Sequence, residues 1–160
     1  MEEKAYILKG FQELSSVQQK MLMQARMAMQ KARNFVLQRY KVGATALLEG
    51  GEMRSAFNNE RRVVQGMRCA EDNLLGDLDD EGLGDQLVAI AIVSQSENLE
   101  DTEPIPPCGT CRTIIQEYAE RSGRYGDLEI LYVNANFEEE GVRVSTIGKL
   151  YPEPFSPHQK

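Results

Sequence analysis

Three cysteines and one glutamate are the residues of this chain whose types and spacing favour chemistry. Cys69 stands in the run CAE, and Cys108 and Cys111 stand in the run PPCGTCR. These three are all the cysteines in 160 residues, and an odd count argues against a disulfide framework. The C-x-x-C spacing places two sulfurs about one turn apart at a helix start, where the helix dipole favours thiolates.

Three thiolates in this pattern suit a zinc ion. Zinc binds cysteine sulfur tetrahedrally, and a site with three protein ligands keeps its fourth position open for water, as catalytic zinc sites do. A redox pair of Cys108 and Cys111 is the alternative, but it leaves Cys69 unexplained. His158, the one histidine, lies in the terminal tail and is not expected to bind the metal. The pattern therefore predicts one zinc ion per chain.

Glu71 follows Cys69 by two residues. At a helix start its carboxylate can lie over a metal-bound water without joining the coordination shell, accept the proton of that water and pass it to a departing nitrogen. A centre with three thiolates is negatively charged and acidifies water less than an all-histidine site, so a nearby base matters more. The alternative is a solvated glutamate that complements the helix dipole.

The length, composition and charge of the chain limit the classes of function that the protein can have. A chain of 160 residues with 41% hydrophobic and 27% charged residues predicts a single domain, 1–160. The net charge of −7 argues against nucleic-acid and anionic-membrane partners and favours a small neutral or cationic substrate. The start, MEEKAYILKG, lacks the apolar core of a signal peptide, and no run is long enough to span a membrane. We expect a cytoplasmic protein with reduced thiols.

The hydrophobic pattern predicts the elements that position these residues. Strands are predicted at 42–50, 52–58, 87–94, 128–135 and within 141–155. Helices are predicted at 14–38, after Cys69, at 108–123 and near the end of the chain, and the acidic segment 77–86 is predicted to be a loop. This alternation predicts an α/β fold, a three-layer α/β/α sandwich on a mixed central sheet of about five strands.

Together, the CAE and PPCGTCR runs resemble the zinc deaminase signature [HC]-x-E … P-C-x-x-C. More narrowly, the chain is similar to the small homotetrameric cytidine deaminases, which use three cysteines. The resemblance extends to Tyr40-Lys-Val-Gly-Ala44 at the first strand, to Asn58-Asn-Glu60, and to the closing segment from Leu150 to Phe155. It therefore covers nearly the whole chain.

The resemblance implies hydrolytic deamination of cytidine or deoxycytidine to uridine or deoxyuridine, with ammonia released, in pyrimidine salvage. It implies zinc on Cys69, Cys108 and Cys111 with Glu71 as the catalytic acid and base, in a homotetramer whose C-terminal tail from about 150 completes an active site. The implied substrate contacts are Tyr40 beside the base, Asn58 and Glu60 on the ribose, the Ala70 N–H on the base carbonyl, the Pro106 carbonyl on the amino group, and Phe155 on a base, often in a neighbouring subunit.

Two departures from the family pattern affect charge and substrate. Asp72 stands where the family has an arginine that offsets the thiolates, so we hypothesise that a cation among Arg61, Arg62, Arg68 and Arg112 takes over that role. The Arg61-Arg62 pair is itself unusual and leaves other substrates open. The alternatives are a deaminase of another aminopyrimidine or modified nucleoside, similar to blasticidin S deaminases, or a catalytically inactive zinc-binding relative. Glu60 favours cytidine, and Glu71 argues against an inactive relative.

Overall fold

The fold is built on one mixed β-sheet, described here from a computed structural model that covers residues 4–32, 40–59 and 68–154. The strands are β1 (Ile7–Lys9), β2 (Tyr40–Leu48), β3 (Met53–Phe57), β4 (Leu87–Ser96), β5 (Glu129–Asn134) and β6 (Val142–Thr146). The helices are α1 (Ser16–Met29), α2 (Ala70–Asp80), α3 (Gly109–Arg121), α4 (Phe137–Glu140) and α5 (Ile147–Leu150). No helix in these ranges is both long and apolar enough to cross a membrane.

The sheet has six strands in the order β1-β6-β5-β4-β2-β3. The central strands β4 and β5 run parallel, and the other neighbouring pairs are antiparallel. The prediction of about five strands missed β1, which is short, largely exposed and held at the sheet edge by its pairing with β6. So short a segment carries little periodic signal, and only its partner makes it a strand.

Alternate residues of β4 divide the core into two layers. Ala89, Ala91 and Val93 pack with the buried face of α1, whereas Ile90 and Ile92 pack with α2 and α3 on the opposite face. Because successive side chains of a strand point to opposite faces, a strand covered on both sides is apolar throughout. The three-layer α/β/α sandwich is therefore confirmed.

Helix α1 begins after a capping box. The Ser15 hydroxyl accepts a hydrogen bond from the Gln18 N–H at 3.1 Å, and the Gln18 side chain accepts one from the Ser15 N–H at 3.0 Å, which satisfies two otherwise unpaired donors. The helix ends at Met29, so the predicted span of 14–38 was too long, although residues 33–39 lie outside the described part.

Gly43 allows α1 to lie directly against the sheet. A Cβ atom at this position would stand 2.0 Å from the Ala25 carbonyl oxygen and 2.5 Å from the Met29 nitrogen. Both are backbone atoms, which a side-chain rotation does not move away. The small residue in the run VGA therefore sets how closely the helix and β2 approach each other.

The acidic segment 77–86 is not a loop throughout, as the sequence had predicted. Helix α2 continues to Asp80, and a 3-10 turn covers Gly84–Gln86. The helix persists because Leu74 and Leu78, four residues apart, are both buried, while Asp77 lies on the exposed face. The acidic residues on the exposed face of this helix made the segment read as a loop, although its buried leucines follow the helical repeat.

Candidate functional site

Two helices begin at the predicted cysteines. Cys69 is the N-cap of α2, and Cys108 is the N-cap of α3, where its sulfur accepts a hydrogen bond from the Cys111 N–H at 3.4 Å. Pro106 and Pro107 precede Cys108, and because prolines lack an N–H and restrict the residue before them, they set the helix start at this point. Helices α2 and α3 pack on the same face of the sheet, so their N-terminal ends meet.

The three sulfur atoms meet in a cluster that fits a tetrahedral metal. The ligand atoms of Cys69, Cys108 and Cys111 all lie within 4.8 Å of one another, and the sulfurs of Cys69 and Cys108 are 3.9 Å apart. Zinc–sulfur bonds of about 2.3 Å in tetrahedral geometry separate two sulfurs by about 3.8 Å. Both the donor set and its spacing therefore suit zinc.

The pKa values of Cys69 and Cys111 shift in opposite directions. A hydrogen bond from the Cys111 thiol lowers the pKa of Cys69 to about 7, and burial and the charge of Glu71 act against this shift. The same bond, together with burial, raises the pKa of Cys111. Cys111 thus departs from the expectation that both thiols of the C-x-x-C pair ionise readily at the helix start. A metal at this site would be held by the three groups as thiolates.

Glu71 lies beside the sulfurs, in the first turn of α2. It is only 5% exposed, and burial raises the pKa of its carboxyl, with a smaller contribution from the negative charge of Asp72. The residue is therefore not a solvated helix-start glutamate. Burial thus favours the protonated form of this carboxyl more than in an exposed glutamate, which suits a group that accepts and then donates a proton.

A cavity of about 170 Å³ opens over Glu71 and two of the cysteines. Its lining residues are Tyr40, Val42, Asn58, Cys69, Ala70, Glu71, Ile105, Pro106 and Cys108. Every described residue that the sequence assigned to substrate contact is in this set. Val42 and Ile105 were missed, although Val42 is two residues after Tyr40 on the same strand and therefore shares its face.

The side chain of Asn58 is bonded to β2. Its Oδ1 accepts a hydrogen bond from the Val42 N–H at 2.8 Å, and its Nδ2 donates to the Tyr40 carbonyl at 3.0 Å. These two bonds use one of the two N–H groups of the amide and one lone pair of its oxygen. Asn58 therefore shapes the cavity wall that carries Tyr40 and Val42.

Of the proposed charge-balancing residues, the structure describes Arg112 and Arg68. The Arg112 Nε donates to the Pro107 carbonyl and its Nη1 donates to the Leu150 carbonyl, both at 2.8 Å. Arg68 is exposed, and its backbone forms two 3.1 Å hydrogen bonds with Asn59. The remaining predicted site residues, Glu60, Arg61, Arg62 and Phe155, lie outside the described residues.

The chain is similar to proteins named cytidine deaminase. A curated relative from Halalkalibacterium halodurans is 35% identical over 79 residues, and the match covers 49% of this chain and 55% of that protein. One from Sporosarcina psychrophila is 27% identical over 118 residues, covering 74% of this chain and 76% of the relative. The chain thus spans about half of the first curated relative and about three quarters of the second.

Structural similarity extends over most of the chain. The crystal structure of cytidine deaminase from Burkholderia pseudomallei matches with a TM-score of 0.71 and 26% identity, covering 89% of this chain and 100% of that one. The profile described as "Cytidine and deoxycytidylate deaminase zinc-binding region" matches residues 15–125, which include all three cysteines and Glu71. The chain belongs to the cytidine and deoxycytidylate deaminase family.

Proposed function

We propose that this protein is a zinc-dependent enzyme that hydrolyses the amino group of cytidine or deoxycytidine and releases uridine or deoxyuridine and ammonia. The observation that carries the proposal is the meeting of three cysteine sulfurs within 4.8 Å with a carboxylate, Glu71, that is 5% exposed beside the same cavity. Relatives named cytidine deaminase support the choice of substrate.

Cys69, Cys108 and Cys111 would hold one zinc ion through their thiolates. When bound, zinc supplies Lewis-acid activation of a water molecule. With three protein ligands, the site would leave room for that water. The chain provides the other requirements of the reaction, namely a proton carrier and a binding surface for the base.

Glu71 is the proton carrier in this proposal. Its carboxylate would take one proton of the attacking water and deliver it to ring nitrogen N3. It would then carry the second proton, from the oxygen added at C4, to the amino group, which leaves as ammonia when the C4–N bond breaks. Burial raises the pKa of this carboxyl, so it holds a proton more readily than an exposed glutamate. Proton transfer of this kind contributes about 10²–10⁴-fold to a rate.

Backbone groups at the cavity wall would orient the base. Ala70 is the first residue of α2, where N–H groups have no partner within the helix, and its N–H would donate to the base carbonyl. The Pro106 carbonyl would accept from the exocyclic amino group, since proline lacks an N–H but keeps its C=O. Tyr40 forms a side wall, and Asn58 with Glu60 would hold the ribose.

The test combines an assay of ammonia release with a metal measurement on the same sample. We expect zinc-loaded protein to deaminate cytidine and deoxycytidine, and Glu71→Gln to lower kcat by about 10²–10⁴-fold while zinc content is retained. Glu120→Gln, which changes an exposed carboxylate near the far end of α3, is the matched control and should leave kcat unchanged.

A panel of further aminopyrimidines separates the alternatives. If ammonia is released from a modified nucleoside but not from cytidine, the deamination reaction is confirmed and the proposed substrate is wrong. Zinc-loaded protein that releases no ammonia from any member would reject the enzymatic proposal and identify a zinc-binding protein without catalysis.

The proposal includes a homotetramer in the cytoplasm. Val17, Met23 and Met27 expose 45%, 50% and 65% of their surface on α1, and apolar side chains exposed together on one helix favour contact with another copy. Three thiols kept as metal ligands suit a reducing compartment. Sedimentation of the zinc-loaded protein tests the assembly, and a fully active monomer would contradict it.

A further inference from the structure

The connection between β4 and α3 forms part of the cavity wall. Residues 97–107 contain no helix or strand, yet Ile105 and Pro106 line the cavity, and Cys108 follows directly. The position of this connection therefore decides where the Pro106 carbonyl stands relative to Glu71. The contacts that hold this connection in place therefore affect the position of the Pro106 carbonyl in the cavity.

The sequence PIPP at 104–107 leaves a single backbone donor. Pro104, Pro106 and Pro107 have no N–H, so the Ile105 N–H is the one amide of these four residues that can anchor the segment to the rest of the protein. It donates to the hydroxyl of Ser94 at 3.2 Å. The Ile105 N–H is thus the single N–H group through which PIPP is bonded to another part of the protein.

At the end of the connection, the carbonyl of Pro107 accepts a hydrogen bond from the Arg112 Nε at 2.8 Å. Within the described residues, the remaining hydrogen bonds of the connection's N–H groups are local. The N–H groups of Asn98, Glu100 and Glu103 each donate to a side chain two residues earlier in the chain. Glu103 also forms an ion pair with Arg143 at 2.9 Å, but the side chain of Glu103 is 78% exposed, and exposed ion pairs hold a segment only weakly. Ser94 therefore anchors the connection on the β4 side of Pro106 through a buried hydroxyl, and Arg112 holds the carbonyl on its α3 side.

Ser94 is itself rigidly placed. It is 1% exposed and lies in the central strand β4, paired with Val42 on one side and with Asn134 on the other. Its hydroxyl donates to the Val133 carbonyl in a long contact of 3.4 Å. That orientation turns an oxygen lone pair toward the Ile105 N–H.

We propose that Ser94 is a positioning residue of the deaminase site. Its hydroxyl holds the Ile105 N–H, and this bond places the neighbouring Pro106 carbonyl where it accepts a hydrogen bond from the amino group of the substrate. The inference rests on the proposed function for the identity of the substrate, and on geometry alone for the anchoring of the segment.

Ser94→Ala tests the inference, with Ser145→Ala as the matched control. Ser145 is a 3% exposed serine of β6 whose hydroxyl bonds to the Ala5 carbonyl, away from the connection. We expect Ser94→Ala to raise KM for cytidine about tenfold, the effect of one lost hydrogen bond in a partly buried site, with zinc content unchanged. Inhibition by uridine should stay the same, since uracil has no amino group to donate.

Amide hydrogen exchange provides a readout that needs no activity. We expect Ser94→Ala to speed exchange at Ile105 by about tenfold through easier local opening, and Ser145→Ala to leave it unchanged. Unchanged exchange at Ile105 in Ser94→Ala would overturn the anchoring role. Equal weakening of cytidine and uridine binding would overturn the positioning role and indicate a general structural effect. If the wild-type protein deaminates no nucleoside, the proposed function fails and the positioning role fails with it, while exchange at Ile105 still decides the anchoring.

Discussion

The sulfur atoms of Cys69 and Cys108 lie 3.9 Å apart, although the two residues are 39 positions apart in the chain. Each is the N-cap of its own helix, so the packing of α2 beside α3 sets this distance. The relationship predicts that the metal site depends on both helices at once and not on the C-x-x-C pair alone.

Removal of the sulfur of Cys69 should therefore weaken zinc binding even though Cys108 and Cys111 remain. We expect Cys69→Ser to lose at least about hundredfold in zinc affinity, since loss of an outer partner of a ligand already costs about 10–100-fold. Competition with a chelating indicator measures the change. Thr110→Ala, an exposed position between the other two cysteines, is the control. Equal zinc affinity in Cys69→Ser and in the wild type would show that Cys69 is not a zinc ligand.

Asp72 should oppose metal binding through its charge. Burial first, and Asp72 to a smaller extent, raises the pKa of Glu71, and Asp72 also acts against the thiolate of Cys69. With that charge removed in Asp72→Asn, the Cys69 thiolate forms at lower pH, so we expect zinc to remain bound to a pH lower by up to about one unit. Zinc retention measured across an acid titration tests this.

The control for Asp72 is Asp77→Asn, which removes the same charge from an exposed position farther along α2. A shift of equal size in both variants would indicate a general effect of net charge. No shift in either variant would mean that Asp72 is already neutralised by a neighbouring cation.

Gly43 should tolerate no side chain. A Cβ atom at this position meets backbone atoms of α1 at 2.0 and 2.5 Å, so we expect Gly43→Ala to lower the free energy of unfolding by about 1–3 kcal/mol or more. Chemical denaturation provides the measurement. Gly76→Ala is the matched control, because Gly76 lies within α2 and a Cβ atom there would meet nothing within 4 Å. This control should stabilise the protein by up to about 1 kcal/mol.

Tyr118 should make stability depend on alkaline pH. Its hydroxyl lies 2.5 Å from Asp79 and 3.1 Å from the Leu75 carbonyl, and burial, followed by the bond to Asp79, raises the pKa of Tyr118 from 10.0 to about 12. The folded protein keeps this proton where the unfolded chain loses it. The contribution is therefore complete below pH 10 and disappears as the pH rises to about 12.

Tyr118→Phe removes this dependence. At neutral pH we expect the variant to be less stable by about 1 kcal/mol, the net contribution of a typical hydrogen bond. The difference from wild type should shrink as the pH passes from 10 to 12 in denaturation experiments. Tyr125→Phe, with its side chain half exposed, should show neither effect. A difference that stays constant with pH would contradict the assignment.

Local patterns were sufficient to predict the buried strands and the chemical groups of the site. The apolar run at 87–94 became β4 because a strand covered on both faces needs apolar residues at every position. By contrast, β1 and the full length of α2 were missed. The first depends on pairing with β6, and the second on a buried leucine face among acidic residues.

The sequence by itself determined which groups can bind metal and carry protons, because C-x-E and C-x-x-C place their side chains within one helical turn. Only the tertiary structure decided that Cys69 meets Cys108, that the Asn58 amide bonds to β2, and that Ser94 holds Ile105. These contacts join residues that are distant in the chain, and strand pairing and helix packing bring such residues together in ways that local periodicity does not encode.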